Sequence, residues 1–191
     1  MDICGAVLAL VIFSPVMILT ALLVKLTSKG PIIFKQERIG LAARPFCIYK
    51  FRSMCNGAES MQKELLRFNE ATGPVFKMRN DPRVTPSGRF IRRWSRDELP
   101  QFWNVLKGDM SLVGPRPYMP YEVDVYKPLH FRRLEVLPGM TGIGQISGRS
   151  RLTFQEVVNF DLEYIERRSL LLDLQILLKT LPVVFSGRGA R

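Results

Sequence analysis

Between Ile3 and Val24 the chain passes through 22 residues without a charge. At ~1.5 Å per residue a helix of that length reaches about 33 Å, enough to cross a bilayer core of roughly 30 Å. So long an uncharged run is rare in the core of a soluble domain. A cleaved secretion signal fits poorly, because Met1-Asp2 offers no basic n-region and no small-residue cleavage site precedes Lys25. Ser14-Pro15 falls near the middle of the run. Proline there removes the hydrogen bond to the Val11 carbonyl and clashes with it, which predicts a kink, with the Ser14 hydroxyl as a local partner for the freed carbonyl. A bent helix either crosses the membrane or turns back to the face it entered, and backbone chemistry alone leaves both open.

The charges lie beyond this run. The formal net charge is +11, yet the first 24 residues carry only Asp2, so all 28 Lys+Arg and 16 of the 17 Asp+Glu follow, a net +12. Lys25, Lys29, Lys35, Arg38 and Arg44 come directly after the apolar segment and nothing basic precedes it. By the positive-inside bias the remainder faces the cytoplasm whether the helix spans or re-enters. Cys4, Cys47 and Cys55 form no even framework and no C-x-x-C pair, so neither a disulfide scaffold nor a zinc site is indicated, in agreement with a reducing compartment. A composition 47% hydrophobic excludes a disordered chain. The organisation expected is a membrane-embedded helix over 1–26 and one soluble domain over 27–191.

Within that domain, Pro31–Gln36 and Phe46–Phe51 read as two strands of a hairpin. Residues 57–70 carry helix formers with an apolar stripe at Met61, Leu65 and Phe68, and Thr85-Pro-Ser-Gly leads into a helix near 87–96. In that helix Arg89, Arg92, Arg93 and Arg96 share one face. Such a face is either ordinarily solvated or, since four guanidiniums without an acid repel one another, a surface for an anionic ligand or lipid. A helix over 98–107, a glycine-rich loop over 138–148 without a phosphate-loop or dinucleotide fingerprint, and helices over 153–168 and 170–185 complete the chain.

Two constellations carry candidate chemistry. Asp97-Glu98 follows the arginines in Ser95-Arg-Asp-Glu-Leu-Pro-Gln101. Ser95-x-x-Glu98 matches a capping box, but a cap at Ser95 would put Pro100 at the fifth helical position, where it loses a hydrogen bond. A helix starting nearer Pro100 leaves both carboxylates at its positive end, free to hold a metal or act as nucleophile. In Gly114-Pro-Arg-Pro117 two prolines stiffen the backbone around Arg116. This is either a tight surface loop or a guanidinium presented at little entropic cost. His130, the single histidine, supports no triad.

In order along the chain, Ser14-Pro15, Gly30-Pro-Ile-Ile-Phe-Lys-Gln-Glu-Arg-Ile-Gly40, Ile48-Tyr-Lys-Phe-Arg-Ser-Met54, Asp97-Glu-Leu-Pro-Gln101, Asn104-Val-Leu-Lys-Gly-Asp-Met-Ser-Leu-Val-Gly-Pro-Arg-Pro117, Pro138-Gly-Met-Thr-Gly142 and Gln145-Ile-Ser-Gly-Arg149 form a specific set. Together they resemble the catalytic domain of the bacterial sugar transferases, the monotopic phosphoglycosyl transferases that move a sugar phosphate from a nucleotide sugar onto polyprenyl phosphate. The resemblance implies a mostly α fold with a small β-hairpin and an N-terminal kinked, re-entrant membrane helix (broken at Ser14 and Pro15) packed on a cytoplasmic catalytic domain. It implies Asp97 as nucleophile, Glu98 as ligand of Mg2+, and Arg116, Arg92 and Lys50 as basic phosphate-site residues, with Arg149 and Asp161 at the nucleotide-sugar end. The implied substrates are a UDP-sugar and undecaprenyl phosphate, at the inner face of a bacterial cytoplasmic membrane. Anionic lipids are expected partners, nucleic acid is not, and a homo-oligomer is compatible with the sequence. Aromatic residues usual in the family near Ile143-Gly144 and near Arg168 are missing here, as is a basic pair before the first helix, which leaves Met1 as either a native or an internal start. The competing expectation, from the net charge and the arginine stripe, is a basic membrane-surface or nucleic-acid-binding protein without catalysis.

Overall fold

The apolar run forms one helix, α1 (Asp2–Thr27), in a computed structural model that describes residues 1–186. The last five residues of the expected soluble domain lie outside the described residues. The helix continues through Pro15, and the Ser14 hydroxyl donates to the Val11 carbonyl at 2.8 Å, the group that Pro15 cannot serve. By length and composition α1 is a candidate membrane helix.

Only one face of α1 is covered. Ala6, Thr20 and Val24 are buried, while Leu8, Val11, Ile12, Ile18, Leu19 and Leu22 remain exposed. Both ends are tied down. Asp2 Oδ1 accepts the Leu112 N–H at 3.1 Å, and at the far end Arg52 Nη2 donates to the Ser28 carbonyl and hydroxyl, each at 2.8 Å, a cation at the negative end of the helix dipole. Thr27 Oγ1 also donates to Ser87 Oγ at 2.8 Å.

The hairpin pairs β1 (Ile33–Ile39) with β2 (Pro45–Phe51) antiparallel, Ile33 opposite Phe51 and Ile39 opposite Pro45. The expected helix over 57–70 shrinks to α2 (Gln62–Leu65) and a following 3-10 turn, because Met61 and Phe68 find no apolar surface and stay exposed. Helix α3 (Pro86–Arg93) is capped by Thr85, whose side chain accepts the Gly88 N–H at 2.9 Å. Gly88 lies inside this helix and not in a turn. It lets α3 touch the end of β2, since a Cβ there would stand 1.9 Å from the Ser53 carbonyl oxygen.

The expected single face of four arginines does not form. The helix ends at Arg93, Ser95 adopts a left-handed backbone (φ 52), and Arg96 starts a separate 3-10 turn, Arg96–Glu98. Arg96 lies over the Phe90 ring, Arg93 over Trp94, and Arg92 turns inward.

Helix α4 (Gln101–Leu106) follows with Pro100 just before it, and packs along α1, with Phe102 stacked on Phe13 at 6.3 Å. Asn104 from α4 is fully buried and serves β2 as a neighbouring strand would: its Oδ1 accepts the Tyr49 N–H at 3.1 Å and its Nδ2 donates to the Cys47 carbonyl at 2.7 Å.

The remaining elements are β3 (Ser111–Val113), α5 (Pro120–Val123), β4 (Gly139–Thr141), α6 (Ile143–Ser147), α7 (Phe154–Arg167) and α8 (Leu170–Ser186). The segment expected as a glycine-rich loop thus contains a strand and a helix. Strand β4 pairs with β3 in parallel, and the glycines permit backbone on backbone: Gly114 N–H donates to Thr141 at 2.8 Å and Gly139 N–H to Pro115 at 2.7 Å. The main core joins Ala6 of α1 to Ile48, Val105, Met110, Leu112, Val113, Tyr164 and Ile176, and a second joins Val24 to Phe51 and Ile91.

A Cβ on Gly139 would lie 2.0 Å from the Gly114 nitrogen, against backbone that cannot step aside. We expect Gly139→Ala to cost about 3 kcal/mol or more, the upper range for overpacking, read as a lowered midpoint of thermal or denaturant unfolding in detergent.

Candidate active site

Asp97 and Glu98 sit on the 3-10 turn that Ser95 opens, and Ser95 does not act as a helix cap. The capping-box pattern is therefore not realised, and α4 begins one residue after Pro100, as the position of that proline requires. The turn separates the neighbouring carboxylates. Asp97 is buried at 8% exposure, with no other side chain hydrogen-bonded to it among the described residues, whereas the Glu98 side chain is 42% exposed and accepts a hydrogen bond from Lys50 Nζ at 2.8 Å.

Their acidities diverge accordingly. Burial raises the Asp97 carboxyl above the ordinary range and the charge of Glu98 adds to that rise, against the pull of Lys50 and Arg92. Partial loss of hydration also opposes the charge of half-exposed Glu98, but the Lys50 ammonium, then Arg116 and Arg149, hold it ionised below the ordinary range. One carboxylate is thus stabilised by a partner and the other kept uncommitted.

Four cations surround the pair. Lys50 comes from β2, fixed by the Asn104 contacts to the preceding residues. Arg92 comes from the last turn of α3, where its Nε donates to Ser53 Oγ at 2.8 Å and its charge acts first on Asp97 among the acids. Arg116 stands exposed between buried Pro115 and Pro117, and among the described residues no hydrogen bond or ion pair engages its guanidinium, while its charge reaches Glu98 and Asp161. Arg149, after α6, donates from Nη2 to Ser95 Oγ at 3.2 Å and acts electrostatically on Glu98 and then Asp97.

Asp161 is held apart from this group. Its Oδ2 accepts from Arg133 Nε and Nη2 at 2.9 and 2.6 Å and from the Tyr118 hydroxyl at 3.1 Å, with the Arg133 guanidinium 3.8 Å over the Tyr118 ring. It meets the site through Arg116, because Tyr118 directly continues the Pro-Arg-Pro turn.

Three supporting residues were not singled out from the sequence. Asn104 and Ser53 are described above. Arg38, 5% exposed, donates from Nη1 to the Pro117 carbonyl at 3.2 Å and so braces the turn that carries Arg116. Its burial lowers its pKa to about 10, and Arg116 adds to that effect. The available signal was alternation, since Phe34, Gln36 and Arg38 share the inward side of β1.

Among the described residues no group of three or more His, Cys, Asp or Glu side chains gathers to form a metal cage. The adjacent carboxylates of Asp97 and Glu98 do suit a hard cation such as Mg2+, which takes one or two carboxylates and completes its shell with water and substrate phosphate.

The chain belongs to the bacterial sugar transferase family, whose model matches residues 1–187. It is 48% identical over 192 residues to the galactosyl transferase CpsE of Streptococcus agalactiae and 44% over 198 residues to the undecaprenyl-phosphate galactose phosphotransferase of Salmonella typhimurium. In both comparisons nearly all of this chain is aligned (100% and 99%), but it spans only 42% and 40% of those proteins. The exopolysaccharide production protein ExoY of Rhizobium meliloti is 39% identical over 193 residues, covering 99% of this chain and 85% of ExoY.

The burial of Asp97 has a stability signature. Its folded pKa, about 6, lies above the unfolded value of 3.8, so its contribution is most favourable when protonated and is lost as pH rises through about 6. We expect Asp97→Asn to melt at a higher temperature than the wild type above pH 6 and at a similar temperature near pH 4, in paired thermal melts across pH.

Proposed function

We propose that this protein transfers a sugar 1-phosphate from a UDP-sugar to undecaprenyl phosphate through an aspartyl-phosphosugar intermediate, releasing UMP, as the first step of exopolysaccharide, O-antigen or glycoconjugate assembly. The observation that carries the reading is the buried Asp97 carboxylate, without a hydrogen-bonded side-chain partner among the described residues, beside a lysine-paired Glu98 and within reach of the fields of Lys50, Arg92 and Arg149.

In the first half-reaction an Asp97 oxygen attacks the phosphorus that bears the sugar. The bond from that phosphorus to the bridging oxygen breaks, and UMP leaves with the electron pair. In the second, an oxygen of the lipid phosphate attacks the same phosphorus, Asp97 is released as carboxylate, and a lipid diphosphosugar forms. Two steps at one nucleophile let a soluble donor and an insoluble acceptor use the same site in turn.

Arg116 and Arg92 bind and orient phosphate oxygens, and Lys50 keeps Glu98 ionised and aimed. The cations offset charge on the transferring group, where catalysis is mainly positioning and electrostatics. Mg2+, held by Glu98, would supply further charge neutralisation on the diphosphate.

The attachment of both ends of α1 to the same soluble domain supports a helix that re-enters the membrane, with the site at the cytoplasmic face of a bacterial inner membrane, as the basic flank also favours. The exposed apolar side of α1 would then face lipid, and the basic surface anionic headgroups. The competing reading as a nucleic-acid-binding module drew on the net charge of +11 and on a four-arginine face; the charge stands, while the single helical face is interrupted at Ser95.

Incubation with labelled UDP-sugars and Mg2+ but without lipid is expected to leave label on Asp97 and release UMP, read by peptide mass spectrometry; no adduct with any of a panel of UDP-sugars would sink the covalent route. Asp97→Asn is expected to lose transfer by a factor of about 10^4 or more, as removal of a covalent nucleophile does. Adduct formation is expected to rise with pH through about 6 and then level, because only the ionised Asp97 attacks.

A further inference from the structure

Two residues with left-handed backbones, both non-glycine and 54 positions apart, bond to each other beside the carboxylate pair: Ser95 (φ 52) and Arg149 (φ 52), with Arg149 Nη2 donating to Ser95 Oγ at 3.2 Å. The other two non-glycine residues with positive φ among the described residues, Ala42 and Ala43, occupy the hairpin turn. An L-residue in this region is strained, and such conformations persist where surrounding contacts enforce them.

Around Ser95 the contacts are specific. Its N–H donates to the Arg92 carbonyl at 2.9 Å and its carbonyl accepts from Glu98 at 3.2 Å, so the last turn of α3 and the carboxylate turn join at this residue. A glycine would meet the backbone requirement without strain. The hydroxyl is what glycine lacks, and it makes the sole side-chain hydrogen bond to Arg149 among the described residues.

We propose that Ser95 is a positioning residue that aims the Arg149 guanidinium at the Asp97-Glu98 pair, where the donor diphosphate binds; this rests on the functional reading above. The left-handed turn sets where the hydroxyl stands, and the hydroxyl sets where Arg149 stands. Ser95 acts on substrate only through Arg149.

The test uses the full chain in detergent or nanodiscs with the UDP-sugar that gives most UMP release, comparing Ser95→Gly, Ser95→Ala, Ser95→Asn, Arg149→Gln and the double variant Ser95→Gly/Arg149→Gln. Ser95→Gly should melt no lower than the wild type yet raise the donor KM about ten-fold, the order expected for loss of a hydrogen bond to a charged group, with kcat changed less. Ser95→Ala should share the KM defect. Ser95→Asn should recover most of it, because asparagine tolerates the left-handed backbone and carries an acceptor oxygen. The double variant should match Arg149→Gln within two-fold. An unchanged KM in Ser95→Gly, or defects that multiply in the double variant, would overturn the inference while leaving the enzyme reading intact. A lower melting temperature with unchanged KM would assign Ser95 a structural role only. A wild type inert toward every UDP-sugar would overturn the functional reading, and this inference with it.

Discussion

The carboxamide of Asn104 stands in for a missing strand along the outer edge of β2. A two-stranded hairpin would otherwise leave that edge's amide and carbonyl groups without partners against α4, at about 1–3 kcal/mol for each buried group. One side chain meets both groups, and in doing so it locks the register between β2 and α4. Lys50 is the next residue along β2 after Tyr49, and the carboxylate turn lies immediately before α4. The 2.8 Å contact between Lys50 and Glu98 is therefore inherited from the Asn104 contacts more than created by attraction between the two charges. Glu98 is exposed enough that its ion pair alone would be weakly held.

The same economy runs through the turn that carries Arg116. Gly114 and Gly139 bring β3 and β4 into contact closer than any side chain would allow, and Arg38 donates to the Pro117 carbonyl. The Pro-Arg-Pro turn is thereby braced from two directions, while Arg116 itself is left free of hydrogen bonds among the described residues. Among the described residues Asp97 and Arg116 are left without side-chain hydrogen bonds, while Lys50, Glu98, Arg92 and Arg149 around them are each engaged. The raised pKa of Asp97 is a symptom of that arrangement, since burial without donating side chains around it makes the carboxyl harder to ionise.

The long elements were legible because their signals are local. The uncharged run of α1, the Ser14 hydroxyl on the Val11 carbonyl, the hairpin, α7 and α8 all follow from composition and periodicity within one segment. The failures share a cause in distant partners. Strand β4 exists because β3 lies beside it, and nothing in Gly139-Met-Thr141 announces that neighbour. The helix expected over 57–70 had a plausible stripe but no surface to bury it on. The arginine face was undone by one backbone angle at Ser95 that helical spacing does not encode. At the site, the Asp97-Glu98 pair and Arg116 could be read from neighbouring residues, including the argument from Pro100. Asn104, Ser53 and Arg38 could not, because each acts on chain 39 to 79 positions away.

The tethering of α1 at Asp2, Thr27 and Ser28 has a mechanical consequence. A helix joined to its domain at one end behaves as a leash, and the domain samples a range of heights above the lipid. Joined at both ends and packed between them, it behaves as a keel. On the proposed membrane-embedded reading, the carboxylate pair would ride at a constant depth and tilt relative to the bilayer surface, so a headgroup diffusing laterally would meet it in two dimensions, without waiting for the protein to dip.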